Sequence, residues 1–104
     1  MIARHWHCLP KPDQTHAYVR YFQEEMFPRL SKISGFVRAT IQTRPGERGT
    51  EFLIISYWES TEAIRRFAGD DVEAAVIPDK VKEMTIDYDV RARHYEVIES
   101  YEPG

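Results

Sequence analysis

The run Phe52-Leu53-Ile54-Ile55-Ser56-Tyr57-Trp58 restricts the fold of this chain more than any other segment. Strand alternation sends Phe52, Ile54 and Trp58 to one face of a sheet and Leu53, Ile55 and Tyr57 to the other. Both faces are apolar, the pattern of a strand buried on two sides. At 104 residues the chain is about one domain, with helices for one face of a sheet only. Left wet, each of the three outer residues would forgo about 1.5–3 kcal/mol of burial, and the patch would exceed what soluble monomers expose. A second copy of the same sheet is the simplest cover, so a homodimer is expected. The alternative is that the tail Glu99–Gly104 folds back as a small lid.

The other elements follow from local pattern. Residues 1–9 read as a strand that stops at Pro10-Lys11-Pro12. From Asp13, the apolar positions Tyr18, Phe22, Met26 and Leu30 recur every four residues, with Tyr21 and Ile33 beside them, giving a long amphipathic helix. Pro28 should bend it or split off its last turn, and Gly35 should end it. Phe36–Arg44, a polar turn over 45–50 and Phe52–Trp58 make an antiparallel hairpin. Ser60 or Thr61 can cap a short helix carrying Ile64, Phe67 and Ala68 on one face and stopping at Gly69. A further helical segment is expected over Asp71–Ile77, broken by Pro78. Lys80 to Asp89 has no clean period and reads as irregular with one helical turn. Arg91–Ile98 is the last strand. The order β-α-β-β-α-β is that of a ferredoxin-like α+β fold, a four-stranded antiparallel sheet with helices on one face, here a single domain over 1–104.

Charge and cysteine content exclude several functions. Fourteen basic against 17 acidic residues give a net charge of −3, the wrong sign for a surface that gathers nucleic-acid phosphates. The single cysteine, Cys8, permits no internal disulfide and reads as a small buried hydrophobe. No run approaches the ~18 apolar residues of a membrane span, and the N-terminus has no signal-like apolar region, so a soluble cytoplasmic protein is expected. Phosphate loops, nucleophile elbows and helical zinc-binding histidine pairs are absent.

Among residues able to do chemistry, His5 and His7 share one side of the first strand with Ala3. The last strand should lie beside the first, which brings His94 near. These histidines can line a pocket between sheet and helices as bases at neutral pH, or they can be half-buried strand residues satisfied by carboxylates such as Glu96. No carboxylate or cysteine completes a metal pattern with them, so no metal site is assigned. Trp58 with Phe22, Phe67 and Tyr18 or Tyr21 can wall an aromatic pocket or simply form core. Arg4, Arg38, Arg91 and Arg93 are strand arginines able to meet a substrate carboxylate or phenolate, or to serve as edge charges and dimer salt bridges.

The junction from Phe52 to Ser60, ending Tyr57-Trp58-Glu59-Ser60 and continuing into Glu62-Ala63-Ile64, resembles the antibiotic biosynthesis monooxygenase (ABM) family of the dimeric α+β barrel superfamily. Gly35-Phe36 is similar to that family's "P-G-F" step into the second strand, with Ser34 in place of the proline. The likeness covers about residues 2–98. Phe67–Asp71 and His94-Tyr95-Glu96-Val97 resemble a branch of small ABM-domain proteins. A heme-degrading branch uses a first-strand Asn, the third-strand Trp and a second-helix His. Only Trp58 matches, with Ala3 and the Val76 region at the other two positions, which argues against heme chemistry.

The resemblance implies a homodimeric, cofactor-independent monooxygenase acting on a small aromatic or polyketide-like molecule. His5, His7 or His94 would be the base, Trp58 and Tyr95 would orient the ring against Phe22 and Phe67, and an arginine such as Arg38 would stabilise the anion. Two alternatives carry the same fold. One is a non-catalytic small-ligand-binding or stress-response module, and the other is an isomerase or lyase of the superfamily.

Overall fold

A computed structural model describes residues 1–104. Its centre is β1 (Ile2–Pro10), which pairs antiparallel with β3 (Gly49–Trp58) on one edge and with two short strands on the other, β4 (Thr85–Tyr88) and β5 (Arg93–Glu96). β2 (Phe36–Gly46) pairs with β3 and forms the outer edge, so the order is β2-β3-β1-β4 with β5 beside β4 on β1. The fold is the expected α+β ferredoxin-like one, and the sheet is open. The fourth strand position is filled by β4 and β5 in succession. Between them the chain departs from β1 at Asp89, whose N–H donates to the His7 carbonyl, and returns at Arg93, opposite His5.

The first helical stretch opens with a 3-10 turn over Pro12–Gln14, continues as α1 (Thr15–Tyr21), widens into a π-helical turn over Phe22–Met26 and closes as α2 (Phe27–Ser31). The widening answers Pro28. A proline has no N–H for the carbonyl four residues back and its ring collides with that carbonyl. The Phe27 N–H reaches back five residues to the Phe22 carbonyl, so the turn before the ring is a wide one. Tyr18, Tyr21, Met26 and Leu30 are buried along this stretch. α3 (Thr61–Ala68) begins where Ser60 Oγ accepts the Ala63 N–H at 3.2 Å and ends at Gly69 with φ +87°. These helices and α4 (Asp79–Met84) cover the face of the sheet that carries Cys8, Phe52, Ile54 and Trp58.

Two local expectations fail. Asp71–Ile77 is not helical but a turn, closed by the Ala74 N–H on the Asp71 carbonyl, followed by irregular chain: Arg4 takes the Val72 and Ala74 carbonyls, Ala74 bridges to Arg91, and Ala92 N–H donates to the Glu73 carbonyl. Those long-range bonds satisfy groups that a helix would have paired internally. Lys80–Asp89 is regular, being helix to Met84 and strand from Thr85. Thr85 Oγ1 donates to the Val81 carbonyl at 2.7 Å at the changeover, so the segment mixes two periods. The last strand is also shorter than Arg91–Ile98.

Outside the sheet, the tail Glu99–Gly104 is exposed and forms no lid. The open face carries Leu53, Ile55 and Tyr57 as expected, yet Ile55 is only 6% exposed, between Thr40 and His5 on the neighbouring strands. Arg38 lies over the Tyr57 ring at 4.2 Å and His5 packs edge-on against Tyr95 at 4.8 Å. No helix is long and apolar enough to cross a membrane.

Gly35 joins the two layers. Its φ is +97°, and a Cβ there would stand 2.4 Å from the Ala63 Cβ, while its carbonyl accepts the Glu59 N–H. Gly35→Ala should therefore cost about 1–3 kcal/mol from backbone strain and overlap, measured by chemical denaturation; an unchanged midpoint would contradict this packing.

Candidate active site

Because β1 alternates, Arg4, Trp6 and Cys8 face the helices while Ala3, His5 and His7 face the open side. The three histidines therefore do not form one cluster. His94 pairs with Arg4 across β1 and β5 and lies on the helix side. His7 is exposed, and its Nδ1 stands 3.1 Å from Asp89 Oδ2, so the carboxylate beside it is Asp89 rather than Glu96. His5 faces Tyr95, which is 50% exposed. The expectation that His5 and His7 line a pocket between sheet and helices is corrected by this parity. Tyr95 and Arg38 are likewise on the open face, away from Phe22 and Phe67.

On the helix side the sheet and helices enclose a cavity of about 60 Å³. Its walls include Arg4, Trp6 and Ser56 from the strands, Phe22 and Met26 from the wide turn, Phe67 from α3 and Val76 from the irregular segment before α4. Trp58 stands behind this wall. It is fully buried, stacks on Phe67 at 5.7 Å, meets Phe36 edge-on and donates from Nε1 to Ser56 Oγ at 2.8 Å. It therefore fixes Phe67 and Ser56 from the second row. Trp6 Nε1 donates to the Asp89 carbonyl at 2.7 Å, which ties this indole to the excursion between β4 and β5.

The polar end of the cavity is built on Arg4, 3% exposed. Its Nη1 donates to the Val72 carbonyl and stands 2.7 Å from His94 Nε2; its Nη2 donates to the Ala74 carbonyl at 2.8 Å. Its Cζ lies 5.7 Å from the Phe67 centroid. Burial lowers its pKa to about 10, with the Glu73 charge opposing, so it remains a cation at neutral pH. A guanidinium is only a donor, so His94 Nε2 must present its lone pair and the proton must sit on Nδ1. Burial first and Arg4 second push the His94 pKa down, against Glu73, whose Oε2 accepts the His94 backbone N–H at 3.1 Å. The imidazole is held neutral. Cys8, by contrast, is no nucleophile: burial pushes its thiol up to about 12.

Trp6, Ser56 and the selection of Arg4 among four arginines escaped the sequence reading. The available signal was parity, since a strand with Cys8 inside also puts Trp6 and Arg4 inside. No three of His, Cys, Asp and Glu are grouped as metal ligands would be. The cavity walls also do not fit a heme. No histidine is among them to ligate the iron, and the Val76 region contributes an apolar side chain.

The sequence profile of the family described as antibiotic biosynthesis monooxygenase matches residues 1–76, most of the chain, and the chain belongs to that family. No curated protein sequence matches it. Among solved structures, a monooxygenase from the gene ActVA-Orf6 of Streptomyces coelicolor, in complex with nanaomycin D, aligns with TM-score 0.71 at 18% identity over 99% of this chain and 92% of that one. A mutant of MhuD with two manganese protoporphyrin IX bound per active site aligns with TM-score 0.71 at 14% identity over 99% and 100%. A dimeric ferredoxin-like protein from an uncultured marine organism gives 0.61 at 13% over 98% of each. At such identities the likeness is one of fold.

The histidine environment fixes a pH dependence. Since the folded protein holds His94 below its ordinary value of 6.5, the unfolded chain takes up the proton first on acidification. The stability linked to neutral His94 is complete above pH 6.5 and is lost as pH falls from there toward the lower folded value. His5 is shifted the same way by burial and His7. The melting temperature should thus fall between pH 7 and 5, less steeply in His94→Gln and less again with His5→Gln added; a flat wild-type profile would contradict neutral His94.

Proposed function

We propose that this chain acts as a homodimeric, cofactor-independent monooxygenase on a small aromatic molecule bound between sheet and helices. The observation that carries this reading is a buried guanidinium in the wall of a largely apolar cavity, with a neutral, half-buried imidazole 2.7 Å behind it. Family membership and the monooxygenase fold neighbour support the reaction class. His94 is the base, Phe22 and Phe67 sandwich the ring, and Trp58 holds Phe67 in place. Of the other residues expected at the site, we assign His5, His7, Tyr95 and Arg38 to the sheet face where a second copy docks. The half-buried Leu53 and Tyr57 on that face and the dimeric ferredoxin-like neighbour favour this assembly. The lone buried Cys8 is suited to the reducing cytoplasm.

In the proposed reaction a substrate CH2 flanked by electron-withdrawing aromatic groups loses a proton to His94. The resulting carbanion gives electrons to O2, the carbon–oxygen bond forms, and the peroxide takes the proton back. Loss of water then leaves a ketone, so one CH2 and one O2 become one C=O and one H2O. The protein supplies the base, a cation beside the developing anion and a dry cavity. A ring larger than the present 60 Å³ needs the wide turn at Phe22–Met26 to move. π-Helical turns of this kind occur frequently at functional sites.

Anthrone-like substrates bearing a carboxylate or an ionisable phenol should be oxidised with stoichiometric oxygen uptake and no added metal, flavin or nicotinamide. His94→Ala should lower kcat by ~10²–10⁴-fold, while His7→Ala leaves it unchanged. Binding without oxygen uptake across a panel of anthrones and hydroquinones would favour the ligand-binding module instead. Light scattering should give about twice the 12.3 kDa chain mass; a monomer at micromolar concentration would overturn the assembly.

A further inference from the structure

Arg4 has more hydrogen-bonding capacity than the protein uses. A buried cation ordinarily faces a carboxylate, because its lost hydration must be replaced. All six ion pairs of this chain lie elsewhere, on more exposed groups. The nearest acidic candidate, Glu73, accepts the His94 backbone N–H instead. A guanidinium has five N–H donors. Nη1 is occupied by Val72 and His94 and one Nη2 hydrogen by Ala74, which leaves the Nε–H and the second Nη2 hydrogen without a protein acceptor. The same side chain lines the cavity, with the Phe67 ring and Ser56 beside it. A positive charge with no carboxylate in direct contact, only Glu73 acting on it from a distance, and with two unused N–H groups at the wall of an apolar cavity, is complementary to a planar oxyanion.

A second observation gives that charge a further consequence. The only lone pair of neutral His94 is taken by Arg4 Nη1 at 2.7 Å, so the imidazole cannot accept a proton while that contact stands. We infer that the ligand of this cavity is a small aromatic ring bearing an oxyanion, carboxylate or phenolate, which binds Arg4 and draws its guanidinium off His94, freeing the imidazole lone pair. Arg4 is then both the specificity determinant and a latch on the base. A neutral ring of the same shape leaves the latch closed. The inference rests on the cavity being the binding site. The groups that face His94 are Arg4 and Glu73, while His5 and His7 lie across the sheet.

The test uses the full chain, with benzoate as probe and benzamide as its neutral counterpart, followed by NMR of the histidine rings, His94 being assigned from His94→Gln. Benzoate should bind at least tenfold more tightly than benzamide. At saturation it should raise the His94 pKa by about one unit or more, since a negative charge arrives and Arg4 withdraws. Arg4→Met should abolish the preference for benzoate. Should that variant fail to fold, the wild-type comparison still decides the matter. A matched pair, 4-nitrophenolate against 4-nitroanisole, tells a phenolate-selective site from a carboxylate-selective one, and preference for either anion supports the inference. Equal binding of charged and neutral rings with His94 unmoved would overturn the latch and leave the cavity reading intact. Shifts confined to His5, His7 and Tyr95, or none at any residue, would overturn both.

Discussion

β1 is hydrogen-bonded along both edges, to β3 on one side and to β4 and β5 on the other, and this double pairing fixes the direction of every side chain on it. A slip of one residue would exchange the two faces entirely. Arg4 would turn to the open side, and His5 would meet the core against Ile54 and Trp58. The pairing is anchored at the far end by Cys8 opposite Phe52 and at the near end by Ile2 opposite Trp58, both on the helix-covered face. From that register follow the place of the cavity and the burial of the guanidinium. The separation of two histidine environments on one strand pair has the same origin.

The buried guanidinium in turn organises a region that lacks regular structure of its own. Residues 72–75 lie over the end of the sheet because their carbonyls are taken by Arg4 and their other backbone groups by Val90 and Ala92. Asp71 and Arg91 add a two-pronged ion pair at the exposed rim, with both oxygens at 2.9 Å. Such a surface pair contributes little by itself. Its geometric role is to keep the segment that carries Glu73 and Val76 close to β5, so that the carboxylate reaches the His94 N–H.

Much of the architecture was legible from local pattern. The Tyr18–Leu30 periodicity, the Ser60 cap and the two apolar faces of β3 each depend on neighbours in sequence, and each is where the pattern puts it, whereas the helix stops at Ser31, short of Gly35, whose positive φ serves the turn into β2 instead. The non-helical path of 71–77 was not legible because the decisive partner is 68 residues away, on β1. The helix-to-strand change at Thr85 was hidden by overlap: Val81 and Met84 belong to a helical spacing and Ile86 to a strand. At the site, residue types were readable and their grouping was not. His5, His7 and His94 look alike in composition, and only register tells that two of them share a face and the third meets Arg4. The aromatic residues divide likewise, with Phe22 and Phe67 at the cavity, Trp58 behind it and Tyr95 across the sheet.

The wide turn at Phe22–Met26 connects sequence to site at another level. Pro28 imposes it, and the residues it displaces, Phe22 and Met26, are cavity walls. The most direct measurement of the account is a crystal structure of the protein grown with benzoate. Ring density is expected between Phe22 and Phe67 with the carboxylate on Arg4, a lengthened Arg4–His94 contact, and two chains meeting through their open sheet faces. Benzoate seated on the outer face beside His5 and Tyr95, with the 2.7 Å Arg4–His94 contact intact, would contradict it.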